Sequence, residues 1–270
     1  MQMIAVIPAR YNSTRLPGKP LADICGRPML WWVYKKISAM AVFSQVVCAI
    51  DDARLEQACQ KHGMEYLMTS SDHPEHISRV HEVSEHISAN YYICINGDEP
   101  LISEECILPV LPKEKHVEPY FSGAMRVLSS PAETIDFSNI KLVTTNEGRC
   151  VYMSRSPVPY PRGTLFFDYK KYMGVECFNK AALDFFVNTP MGEVERVEDI
   201  DHLRFLENGV NMYFHEVKSE SISVDTKKDL EYVRKIMEAR QNSELCGGGI
   251  TPFDNIKYMH IIFEEGRLCA

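Results

Sequence analysis

Arg10, Arg15 and Lys19 fall within one short stretch near the start of the chain, "IPARYNSTRLPGKPL". Guanidinium forks match phosphate oxygens, and an ammonium adds a point charge. Gly18 permits a tight turn, while Pro8, Pro17 and Pro20 stiffen the stretch and lower the entropy cost of ordering it. That combination suits a polyphosphate. The spacings GxxxxGK[ST] and GxGxxG are both absent, so this is neither a Walker loop nor a dinucleotide loop. Two acidic positions could complement it. Asp98 stands in "NGDEP" directly after an apolar run, and Asp225 stands in "VDTKKD" before a helical pattern. A hard cation such as Mg²⁺ takes oxygen ligands and needs only one or two carboxylates beside a phosphate chain. Asp98 reads as such a ligand. Asp225, on position alone, reads as well as a helix cap.

The elements that must position these groups alternate. "MIAVIPA" is a buried strand ended by proline, and the basic loop follows it. "PMLWWVYKKISAM" is a helix, "SQVVCAID" a strand and "DARLEQACQKHG" a helix closed by glycine. "EYLMTS", "HISRVHEVSEHISA" and "YYICINGDEP" continue the alternation as strand, helix and strand. This pattern predicts an α/β fold with a parallel sheet, whose ligands sit at the carboxyl ends of the strands. The loop after the first strand is then the natural phosphate site. From about residue 115 to 185 strands dominate: "YFSGAMRVL", "NIKLVTTNEG", "CVYMSRSPVPY" and "YKKYMGVECFNK". "EVERVEDIDHLRFLENG" reads as one helix, "NMYFHEV" as a strand and "TKKDLEYVRKIMEARQ" as a helix with Thr226 as N-cap. "CGGGITPFDN" is a flexible break before a tail.

Composition narrows the class. The 270 residues carry a net charge of -8, which argues against coating nucleic acid or an anionic membrane. No run of about 18 apolar residues predicts a membrane span, and no secretory pattern opens the chain, so a cytoplasmic location is expected. Nine cysteines without a CxxC pair fit reduced thiols, mostly small buried hydrophobes. His73, His76, His81 and His86 lie close together, but without HExxH spacing they read as a solvated or partly packed helix face.

The string "IPARYNSTRLPGKPL" closely resembles the signature "IPARxxSTRLPGKPL" of the 3-deoxy-manno-octulosonate (Kdo) cytidylyltransferases, a family of sugar nucleotidyltransferases. "INGDEPLI" is similar to that family's "VQGDEPxI", "YMSRSPVPY" to "YFSRxPIPY", and "ISVDTKKDLEYVR" to "xGVDTPEDLExVR". "EVERVEDIDHLRFLENG" resembles "LExxExLEQLRxLExG". The resemblance runs from residue 4 to about 235. It implies a Rossmann-like, GT-A-type nucleotidyltransferase domain over residues 1–240, with the β-rich segment covering the acceptor and joining a homodimer interface. Residues 241–270 have no implied role. The implied reaction transfers CMP from CTP to the anomeric hydroxyl of a 3-deoxy-2-keto sugar acid, in a cell-surface polysaccharide or lipopolysaccharide pathway. Arg10, Arg15 and Lys19 would stabilise the leaving pyrophosphate, Pro8 and Ala9 would approach the base, and Arg79 and Asn96 would complete the CTP site. Asp98 and Asp225 take the Mg²⁺ positions, while Glu99 is structural.

The acceptor side departs from the pattern. The family's "DHxSGTERxAE" is "DHPEHISRVHE" here, which puts His76 at a glycine position. Its "LRHLGIYGY" becomes "KKYMGVECF", with Tyr172 for histidine and Glu176 for tyrosine. Its "LEQL" becomes "IDHL", with Asp201 and His202. Tyr172, Glu176, Asp201 and His202 are therefore candidate acceptor contacts, and Arg155 and Arg162 are candidates to meet a carboxylate. Glu176 adds a negative charge, which leads to the expectation of an amino-substituted acceptor. Another small acidic acceptor (a nonulosonate, sugar phosphate or phosphonate) and a non-catalytic nucleotide-binding protein are the alternatives. Intact Arg10, Arg15, Lys19, Asp98 and Asp225 argue against the last.

Overall fold

The computed structural model describes residues 1–13, 15–218 and 221–245, the last three by backbone only. Thr14, Cys246, Cys269 and the glycine-rich stretch lie outside the described residues. The strands are β1 (Met3–Ala9), β2 (Asp23–Ile24), β3 (Arg27–Pro28), β4 (Gln45–Ile50), β5 (Tyr66–Met68), β6 (Tyr91–Ile95), β7 (Phe121–Val127), β8 (Lys141–Thr144), β9 (Cys150–Ser154), β10 (Lys170–Asn179) and β11 (Met212–Glu216). The helices are α1 (Met29–Ser38), α2 (Ala53–His62), α3 (His76–His86), α4 (Glu104–Ile107), α5 (Pro131–Ile135), α6 (Lys180–Asn188), α7 (Glu193–Glu198), α8 (Leu203–Glu207) and α9 (Lys227–Leu245).

The central sheet has the order β11-β7-β10-β6-β1-β4-β5. Only β10 opposes the others, pairing antiparallel with both β6 and β7. The apolar run of β1 is buried on both faces, as a central parallel strand should be. Ala5 and Ile7 face a core with Leu30 and Val33 of α1. Ile4 and Val6 face Ile77 and Val80 of α3 and Leu183 of α6. Each buried Val, Leu or Ile among these contributes about 1.5–3 kcal/mol. The strand-rich middle is not a separate layer: β7 and β10 lie within the sheet, and β8–β9 extend from the end of β10. Six of the seven described cysteines are buried.

The single helix expected over residues 193–209 is two helices. Asp199 takes a left-handed conformation with φ 53° and ends α7. An aspartate tolerates that conformation, and α7's last carbonyls need partners. Arg155 supplies them, donating from Nε to the Glu198 carbonyl at 2.7 Å and from a terminal nitrogen to the Asp199 carbonyl at 2.6 Å. The break turns Asp201 and His202 toward β10. The α6 helix overlaps the end of the segment expected to be strands, capped by Asn179, whose Oδ1 accepts from Ala182 N–H at 2.9 Å.

Candidate active site

The basic loop leaves β1 at the carboxyl edge of the sheet and is pinned from below. Leu16 packs with Ile24, Met29 and the α9 residues Leu230 and Val233. Gly18 at φ 67° turns the chain into a short 3-10 segment, and its N–H donates to the Tyr11 carbonyl at 3.2 Å. This turn aims Lys19 inward. Its ammonium lies 2.6 Å from Asp98 Oδ2 and 3.0 Å from Asp225 Oδ1. Arg15, mostly exposed, reaches Asp225 Oδ1 at 3.0 Å. Burial disfavours the Lys19 charge, but Asp98 and Asp225 outweigh it and hold the ammonium above its usual range. Asp225 is held by sequence as well as space. Asp229 accepts from the N–H groups of Asp225 and Thr226, and Thr226 Oγ1 caps α9 by accepting from Asp229 N–H.

Asp98 Oδ1 is buried and finds no hydrogen-bond partner among the described residues. A buried carboxylate oxygen left over beside a cluster of cations and a second carboxylate fits a hard-cation ligand. Glu99 is buried and accepts from Ser221 Oγ at 2.7 Å, and burial raises its pKa. It also borders the cleft described below.

The remaining sequence candidates divide. Pro8 and Ala9 end β1, paired with Ala49 and Ile50 of β4. Arg10 points away from the acidic pair, toward the carbonyls of His73 and Pro74 at 3.4 Å each. Arg79 is 1% exposed and donates to Thr69 Oγ1 at 2.5 Å and Asp51 Oδ2 at 3.1 Å. It is therefore not a direct nucleotide contact but a positioning residue. Asp51 Oδ1 in turn accepts from Tyr11 N–H at 3.0 Å, which ties the basic loop to the end of β4. Arg155, engaged on the end of α7, lies outside the cleft described next, as does exposed Arg162.

A cleft of about 260 Å³ opens beside Asp98, lined by Asn96, Asp98, Lys171, Tyr172, Gly174 and Asp225 among others. Lys171 was not anticipated. It occupies the arginine position of the resembled "LRHLG", and that match is the available signal. Its Nζ donates to Asn139 Oδ1 at 3.0 Å. Burial, aided by Arg126, lowers its pKa. A larger groove of about 500 Å³, between α1 and α2, contains none of the candidate residues. The Asn139 side of the cleft is braced by Glu133, which accepts from Arg126 at 2.8 Å and from Ser129 N–H at 2.8 Å. Partial burial opposes the Glu133 charge, but Arg126 and Ser129 hold its carboxyl down at about 2. A carboxyl depressed on folding contributes stability that is full above its unfolded pKa of about 4.3 and is lost as pH falls toward the folded value. Thermal unfolding followed from pH 5 to pH 2 should therefore show a smaller loss for Glu133→Gln than for the parent chain.

Gly174 makes room for Asn96. A Cβ there would lie 2.1 Å from Asn96 Nδ2. Gly174→Ala should cost about 1–3 kcal/mol by overpacking and displace Asn96. The expected kinetic signature is a raised KM for CTP, with a smaller change in kcat.

Tyr172, Glu176, Asp201 and His202 do come together, but away from the cleft except for Tyr172. Glu176 is fully buried, and the Tyr172 hydroxyl donates to it. His202 Nε2 lies 2.5 Å and His76 Nε2 2.9 Å from its carboxylate. His76, on a partly packed helix face, is thus part of this cluster. Burial opposes the Glu176 charge, but the two histidines hold its carboxyl down at about 2. Burial likewise opposes charge on His202, but Glu176 and Asp201 push it up to about 9. The negative charge expected to face the acceptor is buried and neutralised by imidazolium, so it gives no reason to require an amine.

The family profile described as cytidylyltransferase matches residues 4–239. The chain belongs to the cytidylyltransferase family. It is 37% identical to the 3-deoxy-manno-octulosonate cytidylyltransferase of Koribacter versatilis, over 89% of this chain and 92% of that one. To the enzyme of the same name from Escherichia coli it is 36% identical, over 87% and 95%. A solved structure of CMP:2-keto-3-deoxy-manno-octonic acid synthetase complexed with CTP superposes with a TM-score of 0.80 at 35% identity, covering 89% of this chain and 100% of that one. Among the described residues no helix is long and apolar enough to cross a membrane.

Proposed function

We propose that this cytidylyltransferase transfers CMP from CTP to the anomeric hydroxyl of 3-deoxy-manno-octulosonate. The observation that carries the reading is the meeting of Lys19 with Asp98 and Asp225 at the carboxyl edge of the sheet, with Arg15 beside them. Support comes from the names of the relatives and from a CTP complex of the same fold. The acceptor hydroxyl attacks the α-phosphorus, the bond from that phosphorus to the β-bridging oxygen breaks, and pyrophosphate leaves. The hydroxyl proton passes to solvent, and no covalent enzyme intermediate is required. Lys19 and Arg15 stabilise the charge that grows on pyrophosphate. Tyr11 and Asp51 keep the loop in place. Lys171, in the cleft beside Asp98, is the candidate to meet the acceptor's carboxylate. Asp98 and Asp225 would hold Mg²⁺. When bound, that ion neutralises triphosphate charge.

Two coarser expectations accompany this reading. A homodimer is supported by the exposed apolar run Tyr160, Leu165 and Phe166, at 83%, 83% and 95% exposure, which a second copy would cover. A cytoplasmic location is where its nucleotide substrate and free thiols are found. Mass spectrometry of the products from CTP, Mg²⁺ and Kdo tests the assignment. The expected product is a CMP–sugar acid conjugate, whereas hydrolysis of CTP without conjugate would overturn the reading.

A further inference from the structure

A second constellation stands apart from the Lys19 group and binds three elements together. His76 opens α3, Glu176 lies on β10, and Asp201 and His202 form the break between α7 and α8. Both imidazoles direct Nε2 at the Glu176 carboxylate, at 2.9 Å for His76 and 2.5 Å for His202. Both turn Nδ1 onto the single carboxylate of Asp201, at 3.2 Å to Oδ2 and 2.8 Å to Oδ1. The donor atoms of His76, Glu176 and His202 lie within 4.8 Å of one another.

An ordinary histidine–carboxylate pair needs one contact. Here the Asp201 carboxylate lies within ion-pair distance of both rings, although buried His202 Nδ1 makes no well-aligned hydrogen bond among the described residues, and both Nε2 atoms project at the one Glu176 carboxylate. That is how metal-ligating histidines are held, with an outer carboxylate setting tautomer and ring orientation. Two imidazoles and one carboxylate form a donor set for zinc and for non-haem iron, whereas Mg²⁺ and Ca²⁺ prefer oxygen throughout. The three ligand positions are also three at which the sequence departs from the resembled motifs: His76 for glycine, Glu176 for tyrosine and His202 for glutamine. A comparable group, His81, Glu85 and Asp184, already has a cation, because Lys180 Nζ sits 2.6 Å from Glu85 and also pairs with Asp184.

We propose that His76, Glu176 and His202 bind a borderline divalent cation of the Zn²⁺ class, with Asp201 as the positioning residue. Access is past His76, whose side chain is 23% exposed. Loading displaces the protons now shared between the imidazoles and the carboxylates. The ion cross-links α3, β10 and the α7–α8 break directly behind Tyr172, whose ring lines the acceptor cleft. The inference does not depend on the reaction assigned above.

Titration of the metal-free full chain with Co²⁺, read by visible absorption, tests it. The expected result is saturation of an intense band of low-coordinate Co²⁺ at one equivalent, abolished by competing Zn²⁺, with a raised thermal midpoint. His202→Gln should remove the band. Asp201→Asn should keep the ligands but weaken Co²⁺ binding by about 10–100-fold. Asp98→Asn should leave the band intact, because the oxygen site at the sheet edge is separate. Circular dichroism confirms that each variant is folded. No band in the folded parent chain, or a band that survives in the His76→Gly/His202→Gln double variant, would overturn the proposal.

Discussion

Asp98→Asn lowers CTP-dependent pyrophosphate release by about 10³-fold, the loss expected when a preorganised charge at a phosphoryl-transfer site is removed. The direction follows from two atoms. Asp98 Oδ2 holds Lys19 at 2.6 Å, and Oδ1 is buried without a partner among the described residues. Asparagine keeps the shape but offers a neutral oxygen and an N–H₂ group that repels both a cation and the ammonium. Folding should survive, since Lys19 retains Asp225 at 3.0 Å. Steady-state kinetics and a thermal melt on the same preparation check both halves. A variant with near-parental kcat would remove Asp98 from the chemistry.

Arg79→Met has its largest effect on stability, about 3–5 kcal/mol, because it strands a buried partner rather than a ligand. The Asp51 carboxylate is left with the Tyr11 N–H at 3.0 Å and no cation. For a domain of this size that loss lowers Tm by roughly 6–20 °C. The same change removes the brace behind Asp51, which tethers the basic loop through Tyr11, so the KM for CTP should rise more than kcat falls. Denaturant unfolding and CTP kinetics read the two effects. A variant as stable as the parent but unable to bind CTP would restore Arg79 to direct nucleotide contact.

These two residues mark what the sequence revealed and what it hid. Arg15, Lys19, Asp98 and Asp225 were legible because each sits in a contiguous block whose residue types match one chemistry, and a parallel sheet brings such blocks to one edge. Arg79 keeps its own position in a block that otherwise departs from the resembled motif at Glu75, His76, Ile77 and Ser78, yet the match does not reveal burial. Only the packing of α3 against the sheet turns its guanidinium to Asp51 rather than to solvent. The position of Glu176 on a strand suggests a charge facing the acceptor, because it does not show which groups will neutralise that charge. His76 lies 100 positions away, and its approach depends on where α3 begins. His202 reaches the carboxylate only because Asp199 breaks the helix, and the apolar spacing of residues 193–209 fits one helix as well as two. The α6 helix was hidden for a similar reason: "NKAALDFFVN" follows a strand without an intervening turn, with Asn179 serving as both strand end and cap.

The proposed reaction is cytidylyl transfer to an unmodified sugar acid. Pyrophosphate release by the full chain with CTP and Mg²⁺, run side by side with Kdo and with 8-amino-8-deoxy-Kdo, tests it most directly. The buried, imidazolium-neutralised Glu176 predicts that Kdo turns over at least as fast as the amino sugar. Turnover confined to the amino sugar, or silence with both while CTP still binds, would contradict it.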